Sequence, residues 1–381
     1  MKKKILVISV GRSDYDRYLP IIDGLQKSKK VDLSLFLTSA HYNKKLGYTA
    51  DFVSKKFKII KNSKRINFKD EMNIDFSEDL KFLSFKIKNS KPDIMIVLGD
   101  RYEMLVGPIA AAPYNIPVIH FYGGAVTEGA IDELVRHAIT KMSHIHFVIL
   151  EDYRRRLIQL GEEAWRIKNI GLHQLQFIKS QNKKNISELS KKFKFNFSEP
   201  YILMTFHPVT IELSKLNSQL SSLAKAIKLS GYNCVITYPN ADPKYKKIIN
   251  FLKKIFDDKK KYKIIKNLGI EYYSSVLKNS KFIIGNSSSG IVEAATFNKP
   301  AINIGTRQKG KFMPSNVINS KNDKNEILKK INKAESNKFK KKIKNIKNPY
   351  EPKISIKALI KVILNIKVND KLIRKKFVTK I

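Results

Sequence analysis

A stretch rich in glycine and serine, Gly-Asn-Ser-Ser-Ser-Gly at residues 285–290, is the strongest chemical signal in the sequence. It follows the apolar run 281–284, which is typical of a buried strand, and it precedes residues 291–295, which have helical character. Small residues at such a junction let an anion approach the unpaired amides that begin a helix. The stretch therefore predicts a phosphate site that includes Ser287 and Ser288. The alternative is that the serines only cap the helix.

Two further polar residues of the second half follow predicted strands. Arg307 lies just past the strand predicted at 300–305, where a guanidinium can reach a phosphate beside the serines. His207 comes directly after the first strand of this half, in Thr-Phe-His-Pro-Val-Thr at 205–210. At a strand end it is a candidate proton donor or phosphate ligand, and the alternative is a structural histidine.

The first half of the chain has its own polar strand ends. Arg12 follows the first predicted strand without a full Gly-x-Gly-x-x-Gly pattern, and it fits an anionic ligand. Asp100 and Arg101 follow the strand predicted at 93–98, where Asp100 either accepts a proton or holds Arg101 in place. Asp132 and Arg136 lie four residues apart after a glycine-rich acidic loop, so they share a helical face as site residues or as a structural pair.

Predicted strands and helices alternate from residue 5 to 149, lapse into polar residues near 181–185, and resume at 201. This pattern predicts the α/β class, with two Rossmann-like doubly wound domains facing across a cleft. We expect an N-terminal domain at 1–180 and a C-terminal domain at 181–381. Apolar spacing between Ile354 and Leu364 predicts a C-terminal helix that packs across the domains. Ligands of such sheets bind at the carboxyl ends of the strands, where all the residues above fall.

Composition limits the alternatives. The formal net charge is +41, but the excess is mostly lysine scattered through loops and helix faces, and we find no nucleic-acid-binding module. The single cysteine, Cys234, lies in a predicted strand and indicates a buried thiol, with no cysteine-based zinc site. No apolar run approaches the roughly 18–20 residues of a membrane span, so we expect a cytoplasmic protein.

Taken together, these motifs resemble the hydrolysing UDP-N-acetylglucosamine 2-epimerase family, the enzymes that open sialic-acid-type sugar synthesis. The resemblance runs in the order of the family from Arg12 to Arg307, and it is carried by the segments 99–101, 123–124, 127–132, 136–141, 205–210, 285–293 and 303–308.

The resemblance implies a fold of the glycosyltransferase-B type, a UDP-sugar substrate, and neither a metal nor a nicotinamide cofactor. It implies loss of the C2 proton and of UDP to give a 2-acetamidoglycal, followed by addition of water to give the free 2-epimer. By analogy, Ser287, Ser288 and Arg307 hold the pyrophosphate. Glu293 binds the ribose hydroxyls, and Asn240 and Arg12 bind further parts of the nucleotide. Arg101 is a further candidate for binding the UDP-sugar. His207 assists departure of UDP, while Asp100 and Asp132 move protons at the sugar. We also expect a homo-oligomer, either a dimer or a tetramer.

One departure from the family pattern concerns its acids. Sialic-acid relatives often carry His-x-Glu-Gly-Gly-Glu, whereas residues 120–125 here read His-Phe-Tyr-Gly-Gly-Ala. Glu128 from the same loop or Tyr122 itself would supply the missing acid, or the sugar is a modified one, such as the bacillosamine derivative used for legionaminic acid. The alternatives to epimerisation are a glycosyltransferase with the same nucleotide site and a polyanion-binding relative without turnover.

Overall fold

The computed structural model describes residues 2–42, 48–60, 72–128, 131–180, 184–239 and 244–379. Within these residues the strands are β1 (Lys3–Ser9), β2 (Val31–Leu37), β3 (Ile59–Ile60), β4 (Ile94–Leu98), β5 (Val118–Phe121), β6 (Ile145–Val148), β7 (Ile167–Asn169), β8 (Tyr201–Thr205), β9 (Asn233–Thr237), β10 (Tyr262–Ile265), β11 (Ile283–Gly285), β12 (Ala301–Ile304) and β13 (Val317–Ser320). The helices are α1 (Arg12–Gln26), α2 (Ala50–Ser54), α3 (Met72–Ser90), α4 (Val106–Ala111), α5 (Ile131–Met142), α6 (Glu151–Gln159), α7 (Gln174–Ser180), α8 (Ile186–Phe193), α9 (Leu216–Ser230), α10 (Tyr245–Ile255), α11 (Gly269–Asn279), α12 (Ser288–Val292), α13 (Lys324–Glu335), α14 (Asn337–Ile343), α15 (Ile356–Leu364) and α16 (Asp370–Ile373).

The chain forms two compact units, and each is built on its own parallel sheet. Unit 1 comprises Met1–Ala125, Ile131–Gln174 and Tyr350–Ile381, and unit 2 comprises Val126–Ala130 and Leu175–Pro349. The predicted α/β class with two doubly wound sheets is confirmed.

In unit 1 the described strands are ordered β3-β2-β1-β4-β5-β6-β7, and all the pairs are parallel. Parallel strands are buried on both faces, so they read as continuous apolar runs, and every residue of β4 is buried. The order reverses between β1 and β4. In open sheets of this kind ligands bind beyond the carboxyl ends of the strands at that reversal, which here are the turns at Gly11 and Gly99.

Unit 2 repeats the plan with the order β10-β9-β8-β11-β12-β13, which reverses between β8 and β11. Alternate residues of β8 belong to two separate buried clusters, because successive side chains of a strand point to opposite faces. Ile202 and Met204 pack in a cluster with helices α9 and α13, and Tyr201 and Leu203 pack in a cluster with helices α8 and α11. The turns at this reversal follow Thr205 and Gly285.

Other features of the two cores agree with the sequence. Cys234 in β9 is fully buried, so the prediction of a buried thiol is confirmed, and burial raises the pKa of that thiol. In unit 1, α15 packs on α1 at Gly24, where an added Cβ would lie 2.9 Å from Cγ2 of Ile356.

No helix within the described residues is both long and apolar enough to cross a membrane.

Candidate active site

The turn that follows β1 in unit 1 is fixed by a buried carboxylate. Asp14 accepts hydrogen bonds from the backbone N–H groups of Val10 and Gly11, at 2.8 and 2.7 Å, and from Ser9 Oγ at 2.9 Å. Burial raises the pKa of Asp14 to about 6 against the effect of these hydrogen bonds. Arg12 begins α1 directly after this turn. The backbone that presents Arg12 is thus held by a residue to which sequence reasoning gave no role.

Asp100 and Arg101 lie in the neighbouring turn, directly after β4. The preceding Gly99 has φ of 75°, and its carbonyl accepts a 2.8 Å hydrogen bond from Nε2 of His120. Burial lowers the pKa of His120 to about 3, so the imidazole is neutral and its Nε2–H acts as the donor to this carbonyl. Arg101 is partly exposed, and its Nε lies 3.7 Å from Oε2 of Glu103.

Arg136 on α5 forms an ion pair with Asp100. Its side chain is 0% exposed, whereas that of Asp100 is 32% exposed. Arg136 Nε donates to Asp100 Oδ2 at 3.1 Å and NH2 contacts the same oxygen, while NH1 donates to the carbonyl of Ala125 at 2.9 Å and to Glu133. Burial opposes the charge of Arg136, but pairing with Asp100 and Glu133 outweighs it and raises the pKa of Arg136. The buried guanidinium therefore holds the Asp100 carboxylate in a defined orientation.

The two other acids predicted for catalysis lie on either side of the start of α5. Asp132 is in the first helical turn, where the helix dipole favours a negative charge, one turn before Arg136. Glu128 belongs to unit 2, with its side chain 51% exposed and Oε2 2.8 Å from Nζ of Lys309. Its segment packs closely, because a Cβ added at Gly310 would lie 2.4 Å from Cγ1 of Val126.

Tyr122 and Ala125 stand where the family pattern has acids. Tyr122 has a positive φ of 68°, a conformation that is unusual for a tyrosine, and its side chain is buried. Burial raises the pKa of its hydroxyl, against opposing effects of Arg17 and the backbone N–H of His173. A phenol with a raised pKa stays protonated at neutral pH, so Tyr122 can serve as a hydrogen-bond donor and is a poor base.

In unit 2, Gly285 and Asn286 hold the turn that carries His207. Gly285 has φ of 134°, and a Cβ there would lie 2.0 Å from the carbonyl oxygen of Thr205, so no side chain fits. Asn286 is buried and contacts the backbone of His207 twice. Its Oδ1 accepts from the His207 N–H at 2.7 Å, and its Nδ2 donates to the His207 carbonyl at 2.8 Å.

Two basic residues, Arg307 and Lys311, act on His207 through their charges. Its pKa is lowered well below the usual value by burial first, and then by the charges of Arg307 and Lys311. His207 is therefore neutral and can donate one N–H to an anion. Arg307 NH1 and Gln308 Nε2 both donate to the carbonyl of Asn286, at 3.2 and 2.8 Å. These contacts tie the loop after β12 to the turn after β11.

The predicted phosphate turn has the expected order of strand, turn and helix, but its helix is short. Ser287 is the N-cap of α12, and its Oγ accepts from the Ser289 N–H at 3.4 Å. Ser288 is the first residue of α12, which ends at Val292 after only five residues. Because a short helix has little cumulative dipole, an anion bound here would depend on local N–H groups, hydroxyls and Arg307. Glu293 follows α12, and its Oε2 accepts from Ser289 Oγ at 2.7 Å.

The structure brings several of the predicted site residues together within each unit. Asn240 lies outside the described residues. Within the described residues the structure brings Asp100 to Arg136 in unit 1, and it brings His207 and the serine turn to Arg307 in unit 2. No group of three or more His, Cys, Asp or Glu side chains in that part of the chain is arranged to hold a metal ion.

Sequence reasoning gave no role to two residues of unit 2, Asn286 and Lys311. Asn286 lies inside the predicted phosphate motif, and a polar amide directly after a strand glycine was the available signal. Lys311 is one of many lysines, and no local pattern distinguishes it.

Comparison with known proteins gives a consistent result. A sequence model of the family described as UDP-N-acetylglucosamine 2-epimerase matches residues 23–364. The chain is 36% identical over 348 residues to the GDP/UDP-N,N'-diacetylbacillosamine 2-epimerase (hydrolyzing) of Campylobacter jejuni, covering 89% of each chain. It is 34% identical over 354 residues to the polysialic acid biosynthesis protein P7 of Escherichia coli, covering 91% of this chain and 90% of that protein.

Solved structures share the fold. The crystal structure of UDP-GlcNAc 2-epimerase from Neisseria meningitidis bound to UDP-GlcNAc superposes with a TM-score of 0.79 at 20% identity, covering 95% of this chain and 98% of that chain. The Staphylococcus aureus MnaA-UDP co-structure superposes with a TM-score of 0.74 at 17% identity, covering 95% of each chain.

Proposed function

Since the chain belongs to the UDP-N-acetylglucosamine 2-epimerase family, we propose that it is a hydrolysing 2-epimerase of a UDP-linked N-acetylamino sugar. The observation that carries this proposal is the similarity, over 84–91% of the chain, to relatives that are 32–36% identical and that include two hydrolysing 2-epimerases. The substrate is UDP-N-acetylglucosamine or its 2,4-diacetamido-trideoxy relative, UDP-N,N'-diacetylbacillosamine. The product is the free 2-epimer, such as N-acetylmannosamine, which supplies nonulosonic (sialic-type) acid synthesis.

The reaction has two steps. In the first, a base removes the proton from C2, the C2–H electrons form the C1–C2 double bond, and the C1–O bond to UDP breaks. The products of this step are UDP and a 2-acetamidoglycal. In the second, water adds its oxygen to C1 while C2 is protonated from the opposite face, which yields the free sugar with inverted C2. The protein must therefore supply proton transfer at C2 and charge stabilisation at the departing phosphate.

We assign the proton transfers to carboxylates. Asp100, oriented by its ion pair with Arg136, is suited to accept the C2 proton. Asp132 and Glu128 are the further candidates for delivering a proton in the second step. Glu128 is the acid that we propose in place of those missing at Tyr122 and Ala125, because it is the carboxylate of the same loop. The neutral Tyr122 is suited to donate a hydrogen bond to the sugar.

We assign the nucleotide to the turns of unit 2. Ser287, Ser288 and Arg307 bind the pyrophosphate, and Glu293 accepts hydrogen bonds from the ribose hydroxyls. Because its pKa is lowered, His207 acts as a neutral N–H donor that stabilises charge on the leaving phosphate. Lys311 adds positive charge near the same group. Arg12, Arg101 and Asn240 remain candidates for further contacts with the UDP-sugar.

The experiment is an incubation of the purified protein with a panel of UDP-sugars, followed by NMR analysis of the products. We expect equal amounts of UDP and a free sugar with inverted C2 from at least one of the two N-acetylamino sugars, and no product from UDP-glucose. Release of UDP with a free sugar of unchanged configuration would contradict epimerisation. Turnover that requires an added sugar acceptor would instead indicate a glycosyltransferase.

A nucleotide sugar is a cytoplasmic metabolite, so we propose that the protein acts in the cytoplasm. We also propose a homo-oligomer, a dimer or a tetramer, which light scattering after size exclusion would test by giving a mass two or four times that of the 43.9 kDa chain.

A further inference from the structure

We propose that Tyr273 and Ser289 form a hydroxyl relay that positions the Glu293 carboxylate to recognise the ribose of a uridine nucleotide. This proposal rests on the proposed function and adds two positioning residues to the nucleotide site. Neither hydroxyl needs to touch the nucleotide, because both act through Glu293.

The relay connects two neighbouring helices of unit 2. Tyr273 is on α11, and its hydroxyl contacts Ser289 Oγ on α12. Ser289 Oγ donates to Glu293 Oε2 at 2.7 Å, and the Glu293 backbone N–H donates to the Ser289 carbonyl at 2.9 Å. Residues four apart share one helical face, which lets Ser289 reach Glu293. Because Ser289 Oγ contacts both side chains, it links the tyrosine to the carboxylate.

The direction of the hydrogen bonds follows from the number of hydrogens. An ionised carboxylate only accepts hydrogen bonds, so Ser289 must use its single hydroxyl hydrogen toward Glu293. Ser289 Oγ can then only accept from Tyr273, whose O–H is the donor. The relay therefore runs from Tyr273 through Ser289 to Glu293, and it requires a protonated tyrosine.

The surroundings keep Tyr273 protonated. Burial raises the pKa of its hydroxyl well above the usual value, and the nearby charge of Glu293 raises it further, against the opposing effect of Ser289. The donor is therefore present across the neutral and mildly alkaline range. Ser289 donates to one carboxylate oxygen of Glu293, and Tyr273 in turn fixes the Ser289 hydroxyl. The carboxylate therefore has a defined orientation.

A fixed carboxylate is well suited to a vicinal diol, because each ribose hydroxyl can donate a hydrogen bond to it. The relay lowers the entropy that Glu293 loses when the nucleotide binds. Removing the Tyr273 hydroxyl should therefore weaken recognition of the ribose and leave the chemical step intact. A 2'-deoxy nucleotide lacks one of the two ribose donors, so its affinity should fall less when the Tyr273 hydroxyl is removed.

The test measures binding of UDP and of 2'-deoxy-UDP by calorimetry to the wild-type chain and to Tyr273→Phe. We expect the wild type to prefer UDP by about tenfold and the variant by only about two- to threefold, through a weaker Kd for UDP. With UDP-sugar, KM should rise about fivefold while kcat changes less than twofold. Ser289→Ala should also reduce the preference for UDP over 2'-deoxy-UDP. Ser289→Thr, which retains the hydroxyl, should show the preference of the wild type.

Tyr272→Phe is the matched control, because Tyr272 is the next residue of α11 and packs its ring against Phe193 at 5.4 Å between centroids. It should bind both nucleotides as the wild type does. Equal binding of UDP by Tyr273→Phe and the wild type would overturn the relay, as would equal weakening of UDP and 2'-deoxy-UDP. Failure of the wild type to bind UDP at all would instead refute the nucleotide site itself, and the relay with it.

Discussion

Asn286 holds the backbone of His207 from both sides, with its side-chain oxygen accepting from the His207 N–H at 2.7 Å and its side-chain nitrogen donating to the His207 carbonyl at 2.8 Å. Asn286 follows β11 and His207 follows β8, the two strands between which the sheet of unit 2 reverses its order. The histidine proposed to assist the leaving group is thus positioned by the predicted phosphate turn.

Asn286→Ala should both destabilise unit 2 and impair turnover. The change removes the side-chain hydrogen bonds to the backbone N–H and carbonyl of the buried His207, which we expect to cost about 2–4 kcal/mol of unfolding free energy. Urea unfolding and steady-state kinetics measure the two effects. Asn196→Ala is the control, because Asn196 is exposed and makes comparable local hydrogen bonds in a loop. Equal stability of both variants would contradict the proposed role of Asn286.

Arg136→Lys should lower kcat about 10- to 100-fold while the protein still folds. Lysine retains the charge but cannot reach Asp100, Glu133 and the Ala125 carbonyl together, so Asp100 loses its orientation. Arg154→Lys is the matched control, because Arg154 makes an exposed ion pair with Glu151 on α6. Near-normal turnover of Arg136→Lys would remove the Arg136–Asp100 pair from the mechanism.

Glu128→Gln separates a catalytic acid from a surface ion pair. The pair with Lys309 is exposed to solvent, which screens it, so the melting temperature should hardly change. If Glu128 supplies the acid that Ala125 and Tyr122 lack, kcat should fall about 100-fold or more. Lys309→Gln serves as the comparison, since it breaks the same pair and keeps the carboxylate. An unchanged kcat in Glu128→Gln would exclude the catalytic role.

The protein should lose stability when the pH falls from 7.5 to 5.0. Burial lowers the pKa of His41 to about 4 and that of His120 to about 3, so the unfolded chain binds protons near pH 6.5 that the folded chain does not. Their stabilising contribution is complete above pH 6.5 and is lost on acidification, by about 2 kcal/mol each at pH 5.

Asp14 opposes this trend, because its pKa is raised to about 6 in the folded state and its ionisation destabilises the fold above that pH. Protonation of Asp14 restores about 1.4 kcal/mol of unfolding free energy at pH 5. The net loss of unfolding free energy from these three residues is therefore about 2–3 kcal/mol. Urea unfolding at the two pH values measures the difference. Equal or greater stability at pH 5.0 would contradict the neutral state of the buried histidines.

The fold was predictable because both sheets are parallel. Their strands are short apolar runs separated by helical patterns, and β4 (Ile94–Leu98) lies within the strand predicted at 93–98. The glycines that mark the strand ends were informative too, since Gly285 occupies a backbone position that no other residue fits.

The arrangement within the site was less predictable, because it depends on contacts between residues that are distant in the sequence. Asn286 contacts a backbone 79 positions away, and Arg136 contacts Asp100 across 36 positions. Local pattern also gave no sign that α12 would end after five residues, where the chain turns at Glu293 into a short 3₁₀ helix. Spacing along the chain locates strand ends, but it does not identify the partner of each side chain.

The most direct test of the account is turnover of UDP-N,N'-diacetylbacillosamine and UDP-N-acetylglucosamine in D₂O, followed by proton NMR of the free sugar. Removal of the C2 proton and its replacement from solvent predict a product with inverted C2 that carries deuterium at that carbon in nearly every molecule. A released sugar that retains its C2 proton and its original configuration would contradict the proposed elimination and hydration.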